Sequence, residues 1–284
     1  MLTKAINYWS FPGGLEGAKP ILDALREARA AGYEALEPAL SEGGELGMET
    51  DEASVRAIAR MADAEGVRIQ SVATGLLWAS PLTSDDAAVR ARGLAICRKL
   101  IDVAAWLDAG AVLVIPGAVD VFFMPGAPVT PYADVYERAI DAIGELEPYA
   151  QERSVAIGLE NVWNRFLMEP SSMCSFIDLF DSPWVGAYLD TGNCTAFGYA
   201  EHWIRMLDHR LKRVHFKDYR RDAAGAAGFV DLLAGDVDWP EVVAALHEVG
   251  YDGPVTAEMI PGYKHYPEVL IQNTSRAMDA ILGR

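Results

Sequence analysis

Four apolar, strand-like runs in the second half of the chain each end on, or carry, a side chain that can bind a metal ion. The runs are VAIGLE, VGAYLD, KRVHFKD and PVTAEM, and the side chains are Glu160, Asp190, His215 and Glu258. Three carboxylates in one partly buried site repel one another unless a cation lies between them. Three oxygen ligands and one imidazole suit a hard or borderline divalent ion. The sequence therefore predicts one such ion, with Mn²⁺ as first choice and Mg²⁺, Co²⁺ or Zn²⁺ as alternatives.

Each of these residues also has a purely structural interpretation. Asp190 precedes Thr-Gly and could cap a turn, because a carboxylate after a strand commonly accepts from the following amides. A single histidine is often a core residue, and Glu258 could pair with an arginine. The metal prediction therefore depends on all four residues ending neighbouring strands at the same edge.

Strand-like runs alternate with amphipathic helical stretches along the whole chain. The strand candidates are residues 4–9, 33–38, 67–73, 111–117, 155–160, 185–190, 212–218 and 254–259. Helical patterns between them include residues 18–32, 51–66, 87–110 and 239–250, and all four end on glycines, as expected of helix C-caps. Eight such repeats in 284 residues predict a single-domain (β/α)8 TIM barrel spanning residues 1–284. An open doubly wound sheet is the runner-up, but no GxGxxG follows the first strand.

Composition narrows the class of partner. The formal net charge is −17, from 41 acidic and 24 basic residues, which disfavours nucleic acid and anionic membranes as partners. The three cysteines show no paired spacing, and the first residues lack the cationic and apolar regions of a signal peptide. We therefore expect a cytoplasmic enzyme that acts on a small molecule.

The carboxyl ends of parallel barrel strands form the active-site face, so other side chains near those ends are candidates for substrate contacts. Glu37 ends the second strand and is a candidate to hydrogen-bond a polar substrate. Trp9 lies at the end of the first strand and could pack against the C–H face of a sugar. Lys217 lies two residues after His215 and faces the same way on a strand. Arg221 brings a further positive charge just beyond it.

Four segments resemble the xylose-isomerase-like TIM barrels of the sugar (phosphate) isomerase/epimerase superfamily. These segments are GLEN (158–161), YLDTGN (188–193), RVHFKD (213–218) and GDVDWPEVVAALHEVGYDGPVTAEM (235–259). In that family the Glu, Asp, His and Glu of these segments bind one divalent metal ion. The resemblance thus implies the same four ligands that the strand ends predict, and it implies a homo-oligomer, a dimer or a tetramer.

The ketose 3-epimerases are the most similar branch, in the D-tagatose/L-ribulose and the L-xylulose 5-phosphate groups. NRF (164–166) is similar to the enzymes of free ketoses, in which an arginine over the substrate corresponds to Arg221. VIPGAVDVFF (114–123) and DTGN (190–193) are instead similar to the pentulose 5-phosphate enzymes. The free-ketose enzymes carry a substrate-binding histidine after the metal aspartate, and Asn193 is the candidate for that role here.

The resemblance implies proton abstraction next to a carbonyl through a cis-enediolate, with a sugar or a sugar phosphate as substrate. Glu160 and Glu258 are the candidate acid and base, and two glutamates on opposite faces of one carbon would invert it. A dehydratase or other lyase acting on a keto-sugar or keto-inositol would use the same site and the same first step. A non-catalytic metal- or sugar-binding barrel is the third possibility.

Overall fold

The computed structural model describes residues 1–121, 123–124 and 126–284, so Phe122 of the VIPGAVDVFF segment lies outside the described residues. The strands are β1 (Thr3–Asn7), β2 (Ala35–Glu37), β3 (Ala39–Leu40), β4 (Ala73–Thr74), β5 (Ala111–Val114), β6 (Ala156–Glu160), β7 (Val185–Asp190), β8 (Leu211–Phe216), β9 (Asp218–Tyr219), β10 (Phe229–Val230) and β11 (Pro254–Ala257). The helices are α1 (Ile21–Ala31), α2 (Glu52–Glu65), α3 (Ala87–Trp106), α4 (Tyr132–Glu152), α5 (Pro170–Asp178), α6 (Thr191–Thr195), α7 (Ala200–Leu207), α8 (Trp239–Glu248) and α9 (Glu268–Leu282). Within the described residues, no helix has the length and apolarity that a bilayer crossing requires.

Among the described residues, seven parallel strands form one sheet in the order β2-β1-β11-β8-β7-β6-β5. The segment before β4 connects the two edge strands of this sheet. The Leu36 amide donates to the Arg68 carbonyl at 2.9 Å, and the Leu113 amide donates to the Val72 carbonyl at 2.9 Å. The sheet therefore closes on itself through an eighth segment, which is the predicted (β/α)8 barrel.

The strands and helices follow from their residue patterns. The central strands are buried along their whole length, as expected when helices cover a parallel sheet from outside. Helix α1 buries residues spaced three or four apart, which places one apolar face on the barrel: Ile21, Ala24, Leu25 and Ala28. Asp51 caps α2 by accepting from the Ser54 amide, and Gly66 ends that helix in the left-handed conformation.

Two local predictions are wrong. Only two residues of the third predicted strand, Val72 and Arg68, bridge to the barrel sheet, and β4 pairs instead with β3 in a separate two-stranded sheet. Pro38 accounts for the separation, because it lacks an N–H and interrupts the ladder between β2 and β3. The predicted helix over 87–110 ends at Trp106, and Asp108 rather than a glycine adopts the positive φ of 56°.

Candidate metal centre and active site

The four predicted ligands meet at the carboxyl ends of neighbouring strands. Glu160 and Asp190 are the last residues of β6 and β7, His215 lies in β8, and Glu258 directly follows β11. Asp190 is in register with His215, so the two side chains project together into the barrel. One ligand atom from each of the four buried residues lies within 4.8 Å of the others. This separation suits coordination of one small cation.

Two atoms of this cluster are buried without a hydrogen-bond partner in the described part of the chain, His215 Nδ1 and Asp190 Oδ2. An unpaired buried polar atom is costly, so each such atom requires an explanation. Nδ1 lies 3.7 Å from Glu160 Oε1 and 3.8 Å from Glu258 Oε1, too far for hydrogen bonds. A lone pair and several carboxylate oxygens directed at one point form a donor set that fits a divalent metal ion.

Asp190 combines the structural and the chemical interpretations of its position. Its Oδ1 accepts from the Asn193 amide at 2.7 Å and so caps α6, while its Oδ2 faces the cluster. Asn161 holds the Asp190 backbone through both of its side-chain ends: its Oδ1 accepts from the Asp190 amide at 2.7 Å, and its Nδ2 donates to the Asp190 carbonyl at 3.0 Å. The carboxylate is therefore fixed in place from two directions.

The Glu37 carboxylate lies behind the imidazole of His215 and orients it. Glu37 Oε1 is 2.7 Å from His215 Nε2 and also accepts from Asn7 Nδ2 at 2.7 Å. Oε2 accepts from the hydroxyl of Ser71 at 2.5 Å and from that of Tyr188. Because a carboxylate only accepts, Nε2 must carry the hydrogen of this contact.

Tyr188 reaches Glu37 across the barrel interior because residue 158 is a glycine. A Cβ atom at Gly158 would lie 2.9 Å from Tyr188 Cδ2, a distance that such atoms essentially never adopt. The Tyr188 ring packs edge-on against the imidazole of His215, with the ring centres 4.7 Å apart. The glycine of the GLEN segment therefore makes room for a ring that supports the histidine.

Lys217 places a buried ammonium group beside the ligands. Its Nζ donates to Glu258 Oε2 at 2.5 Å and lies 4.0 Å from Asp190 Oδ2. Burial alone would lower the pKa of Lys217, but Glu258 and Asp190 outweigh it and raise the pKa above its usual range. The ammonium therefore stays charged at neutral pH.

The carboxylates of the cluster differ in their protonation behaviour. Burial raises the pKa of Glu160 to about 7, and the charges of Glu258 and Asp190 add to the rise. Burial also raises the pKa of Asp190 to about 6, although Lys217 opposes this. In Glu258 burial is outweighed by Lys217 and His215, so its pKa is lowered.

Glu37 and His215 shift each other's pKa in opposite directions. Burial would raise the pKa of Glu37, but the charge and hydrogen bond of His215 outweigh it and lower the pKa to about 2. Burial would lower the pKa of His215, but Glu37 above all raises it well above the usual range. The carboxylates of the cluster therefore stabilise a positive charge at its centre, and a bound divalent ion would supply such a charge.

A cavity of about 670 Å³ opens above these ligands. This volume is in the range of small-molecule sites in proteins. Glu160, Glu258, Lys217 and Asn193 form polar parts of its lining. Its apolar walls include aromatic rings from several loops, namely Trp9, Trp78, Phe123, Trp163 and Phe229. The cavity can therefore hold a molecule with one polar, reactive end against the ligand cluster and C–H surfaces against the rings.

Two of the expected substrate contacts, Glu37 and Arg221, lie away from the cavity. Glu37 is only 1% exposed and its oxygens are occupied by four donors, so it contacts His215 and not the cavity. Arg221 donates to the carbonyls of Thr195 at 3.0 Å and Gly198 at 2.8 Å, and it is not among the residues that line the cavity. The Arg221 amide also donates to Asp236 Oδ2 at 2.7 Å. Trp9, Asn193 and Lys217 do line the cavity.

Several contacts of the candidate site were not predicted from the sequence. Ser71, Tyr188 and Asn161 act through other side chains, and Phe229 reaches the cavity from the β9–β10 hairpin. Inward alternation along the strands could have identified Ser71 and Tyr188, since Tyr188 lies two residues before Asp190. Asn161 is the last residue of the GLEN segment and directly follows Glu160, so its place in that segment could have indicated a role at the site.

Comparison with known proteins adds to this geometry. Residues 25–279 match a family model described as xylose isomerase-like TIM barrel. The L-ribulose-5-phosphate 3-epimerase UlaE of Shigella flexneri serotype 5b (strain 8401) is 28% identical over 266 residues, 91% of this chain and 89% of that protein. A crystal structure of D-allulose 3-epimerase from Methylomonas sp. in complex with D-allulose superposes with a TM-score of 0.77 and 23% identity, covering 100% of this chain and 97% of that one. A crystal structure of IOLI protein with a binding zinc atom superposes with a TM-score of 0.78 and 15% identity, covering 99% of this chain and 98% of that one.

Proposed function

Because the chain belongs to the xylose isomerase-like TIM barrel family, we propose that it is a metal-dependent ketose 3-epimerase. One observation carries this proposal: Glu160 and Glu258 both border the cavity and both belong to the buried ligand cluster. The names of the L-ribulose-5-phosphate and D-allulose 3-epimerases support this reaction over the dehydratase or lyase alternative. In this proposal residues 1–284 form one barrel domain with its active site at the carboxyl ends of the strands.

The proposed ligands of the metal ion are Glu160, Asp190, His215 and Glu258. The unpartnered Nδ1 of His215 and Oδ2 of Asp190 support this assignment. When bound, a divalent ion would polarise the ketose carbonyl and stabilise the negative charge of the enediolate. We propose Mn²⁺, because three carboxylates and one imidazole form an oxygen-rich set with one nitrogen. The zinc in the IOLI protein structure supports a divalent ion on this fold without fixing which one.

In this proposal Glu160 and Glu258 carry out the proton transfers. One carboxylate takes the proton from C3 of the ketose, and the other returns a proton to the opposite face of the planar enediolate, which inverts the carbon. The C–H bond breaks at the first glutamate and a new C–H bond forms from the second, so no oxidant or reductant is required. Each carboxylate has two oxygens, which allows one to bind the ion while the other faces the substrate.

Three further side chains are proposed to bind the substrate. The Lys217 ammonium borders the cavity and would donate to the oxygen that becomes negative in the enediolate. Asn193 borders the cavity next to the ligand Asp190 and would hydrogen-bond a substrate hydroxyl. Trp9 would pack on a C–H face of the sugar. These contacts hold the reacting carbon between the two glutamates.

We propose an unphosphorylated ketose as the preferred substrate. Glu16 and Glu42 lie on the cavity lining, and both would repel a phosphate dianion. Among the described lining residues, Lys217 is the one cation, and it is already bonded to Glu258. Arg92 lies beside the cavity mouth but is paired with Glu42 at 2.6 Å. Comparing kcat/KM for free ketoses with that for their 5-phosphates tests this choice.

Incubating the Mn²⁺-loaded protein with a panel of ketoses in D₂O tests the reaction. We expect the C3 epimer to form and deuterium to appear at C3. Glu160→Gln and Glu258→Gln should each lower the exchange rate by about 10² or more, because each removes an acid–base group. Glu241→Gln, on the outer surface of α8, is the matched control and should exchange like the wild type. Deuterium at C1 would indicate an isomerase instead, and no exchange with any ketose would overturn the proposal.

We also propose that the protein is cytoplasmic and forms a dimer or a tetramer. All three cysteines, each within the described residues, are free thiols, which suits a reducing compartment. The oligomer is proposed from the family resemblance. Light scattering coupled to size-exclusion chromatography tests it, since a mass near 31 kDa at micromolar concentration would contradict the proposal.

A further inference from the structure

Glu37 is a buried carboxylate that the proposed proton transfers do not use. Its four partners come from four different parts of the barrel wall: Asn7 in β1, Ser71 before β4, Tyr188 in β7 and His215 in β8. A carboxylate this deeply buried needs a full set of hydrogen-bond donors, and Glu37 has one. The surroundings of Glu37 are therefore built to keep it in one place.

The contact between Glu37 and His215 decides which ring nitrogen can bind an ion. Because Glu37 Oε1 accepts at 2.7 Å, the hydrogen of a neutral imidazole lies on Nε2. Nδ1 then carries the lone pair, and it is the atom that faces Glu160 and Glu258. The edge of the Tyr188 ring packs against the imidazole and limits its rotation.

We propose that Glu37 is a positioning residue that fixes the tautomer and the orientation of His215 for ion binding. This inference rests on the proposed metal site, and it extends that site to a residue that never contacts the substrate. A hydrogen-bonded carboxylate behind a ligating histidine raises the basicity of the ring and keeps its lone pair aimed at the ion. Asn7, Ser71 and Tyr188 hold Glu37 itself and complete the chain of support.

Glu37→Gln is the most direct perturbation, because it keeps the size of the side chain. A glutamine can still accept from Nε2, but the bond loses its charge, and the amide donors replace one acceptor oxygen. We expect Mn²⁺ to bind about 10- to 100-fold more weakly, the range typical for losing such a contact. Turnover should be regained as Mn²⁺ is raised, with the half-saturating concentration shifted by the same factor as the dissociation constant.

Metal binding is measured without turnover, by electron paramagnetic resonance of free Mn²⁺ and by the visible spectrum of the Co²⁺ form. Glu34→Gln is the matched control: Glu34 lies just before β2, at the opposite end of the strand, where it accepts from the Lys4 amide. We expect its Mn²⁺ affinity to stay within about twofold of wild type. Ser71→Ala removes one donor to Glu37 and should weaken binding by a smaller factor, about two- to fivefold.

The outcomes separate this inference from the proposed function. If the wild type binds Mn²⁺ and Glu37→Gln binds it equally well, with an unchanged Co²⁺ spectrum, Glu37 has no positioning role and the epimerase proposal stands. If the wild type binds no divalent ion, the metal site itself is refuted. If Glu37→Gln lowers the melting temperature but leaves both metal readouts unchanged, its role is only structural and the inference fails.

Discussion

Replacing Lys217 with methionine removes the cation that the structure places beside the reacting centre. Its Nζ lies 2.5 Å from Glu258 Oε2 and 4.0 Å from Asp190 Oδ2, in a largely buried site. Two unit charges 4 Å apart interact by about 4 kcal/mol at an effective dielectric constant near 20. An enediolate oxygen held at such a distance would lose stabilisation of this order, and losing one oxyanion donor typically lowers kcat by about 10²–10³. We therefore expect Lys217→Met to lower kcat by about 10²–10³.

The Lys217→Met assay separates the chemical step from binding. The ground-state carbonyl carries little charge, so KM should change by less than about threefold. The Mn²⁺ dissociation constant should stay the same or fall, because removing a cation leaves the carboxylates more attractive to the ion. Lys212→Met is the matched control: Lys212 lies on β8, the strand that ends just before Lys217, but outside the cavity lining, and kcat should be unchanged. A kcat within about threefold of wild type, or a loss fully explained by weaker Mn²⁺ binding, would refute the role of Lys217.

Three further predictions follow from the same geometry. Folded Glu160 keeps its proton up to about pH 7 but unfolded Glu160 loses it near 4.5, so the unfolding free energy of the metal-free protein should fall as pH rises through this window. Because the pKa of Asp190 is also raised, to about 6, urea titrations of Glu160→Gln should keep a smaller fall, and a fall equal to that of the wild type would contradict the assignment. Gly158→Ala forces a Cβ to within 2.9 Å of Tyr188 and should lower the unfolding free energy by about 1–3 kcal/mol, whereas an unchanged urea midpoint would contradict the packing. Glu42→Gln should raise kcat/KM for a ketose 5-phosphate about two- to fivefold relative to the free ketose, and an unchanged ratio counts against its role. The control Glu145→Gln, on α4, also breaks a pair with an arginine of α3 and should leave that ratio unchanged.

The clustering of the four candidate metal ligands could be predicted from the sequence because the (β/α)8 barrel brings the carboxyl ends of its strands to one face. Each ligand follows or ends an apolar run, so its position required only the strand pattern. The structure brings all four together within 4.8 Å. Lys217 was predicted to point inward from its spacing of two residues after His215, and the cavity lining includes it.

Contacts across the barrel interior could not be predicted in the same way. Glu37 has the position of a substrate-binding residue, at the end of β2, but the depth of its side chain depends on what lies opposite. His215 is 178 residues away in sequence, and the Tyr188 ring reaches Glu37 only because Gly158 leaves space. No local pattern of residues encodes this three-dimensional fit.

The contacts of Arg221 could not be predicted from the sequence for a different reason. The β9–β10 hairpin departs from the regular strand–helix alternation, and Asp218 holds the segment after it by accepting from the amides of Gly235 and Val237. Arg221 instead donates to the carbonyls of Thr195, the last residue of α6, and of Gly198, between α6 and α7. A loop fixed by one buried carboxylate carries no periodic signal in the sequence.

The proposal depends most directly on one divalent ion bound by Glu160, Asp190, His215 and Glu258. Crystals grown with Mn²⁺ and measured above and below the manganese absorption edge test this claim. We expect one strong anomalous peak within bonding distance of His215 Nδ1 and of a carboxylate oxygen from each of the other three residues. A peak elsewhere, or no peak from protein that elemental analysis finds free of other divalent metals, would contradict it.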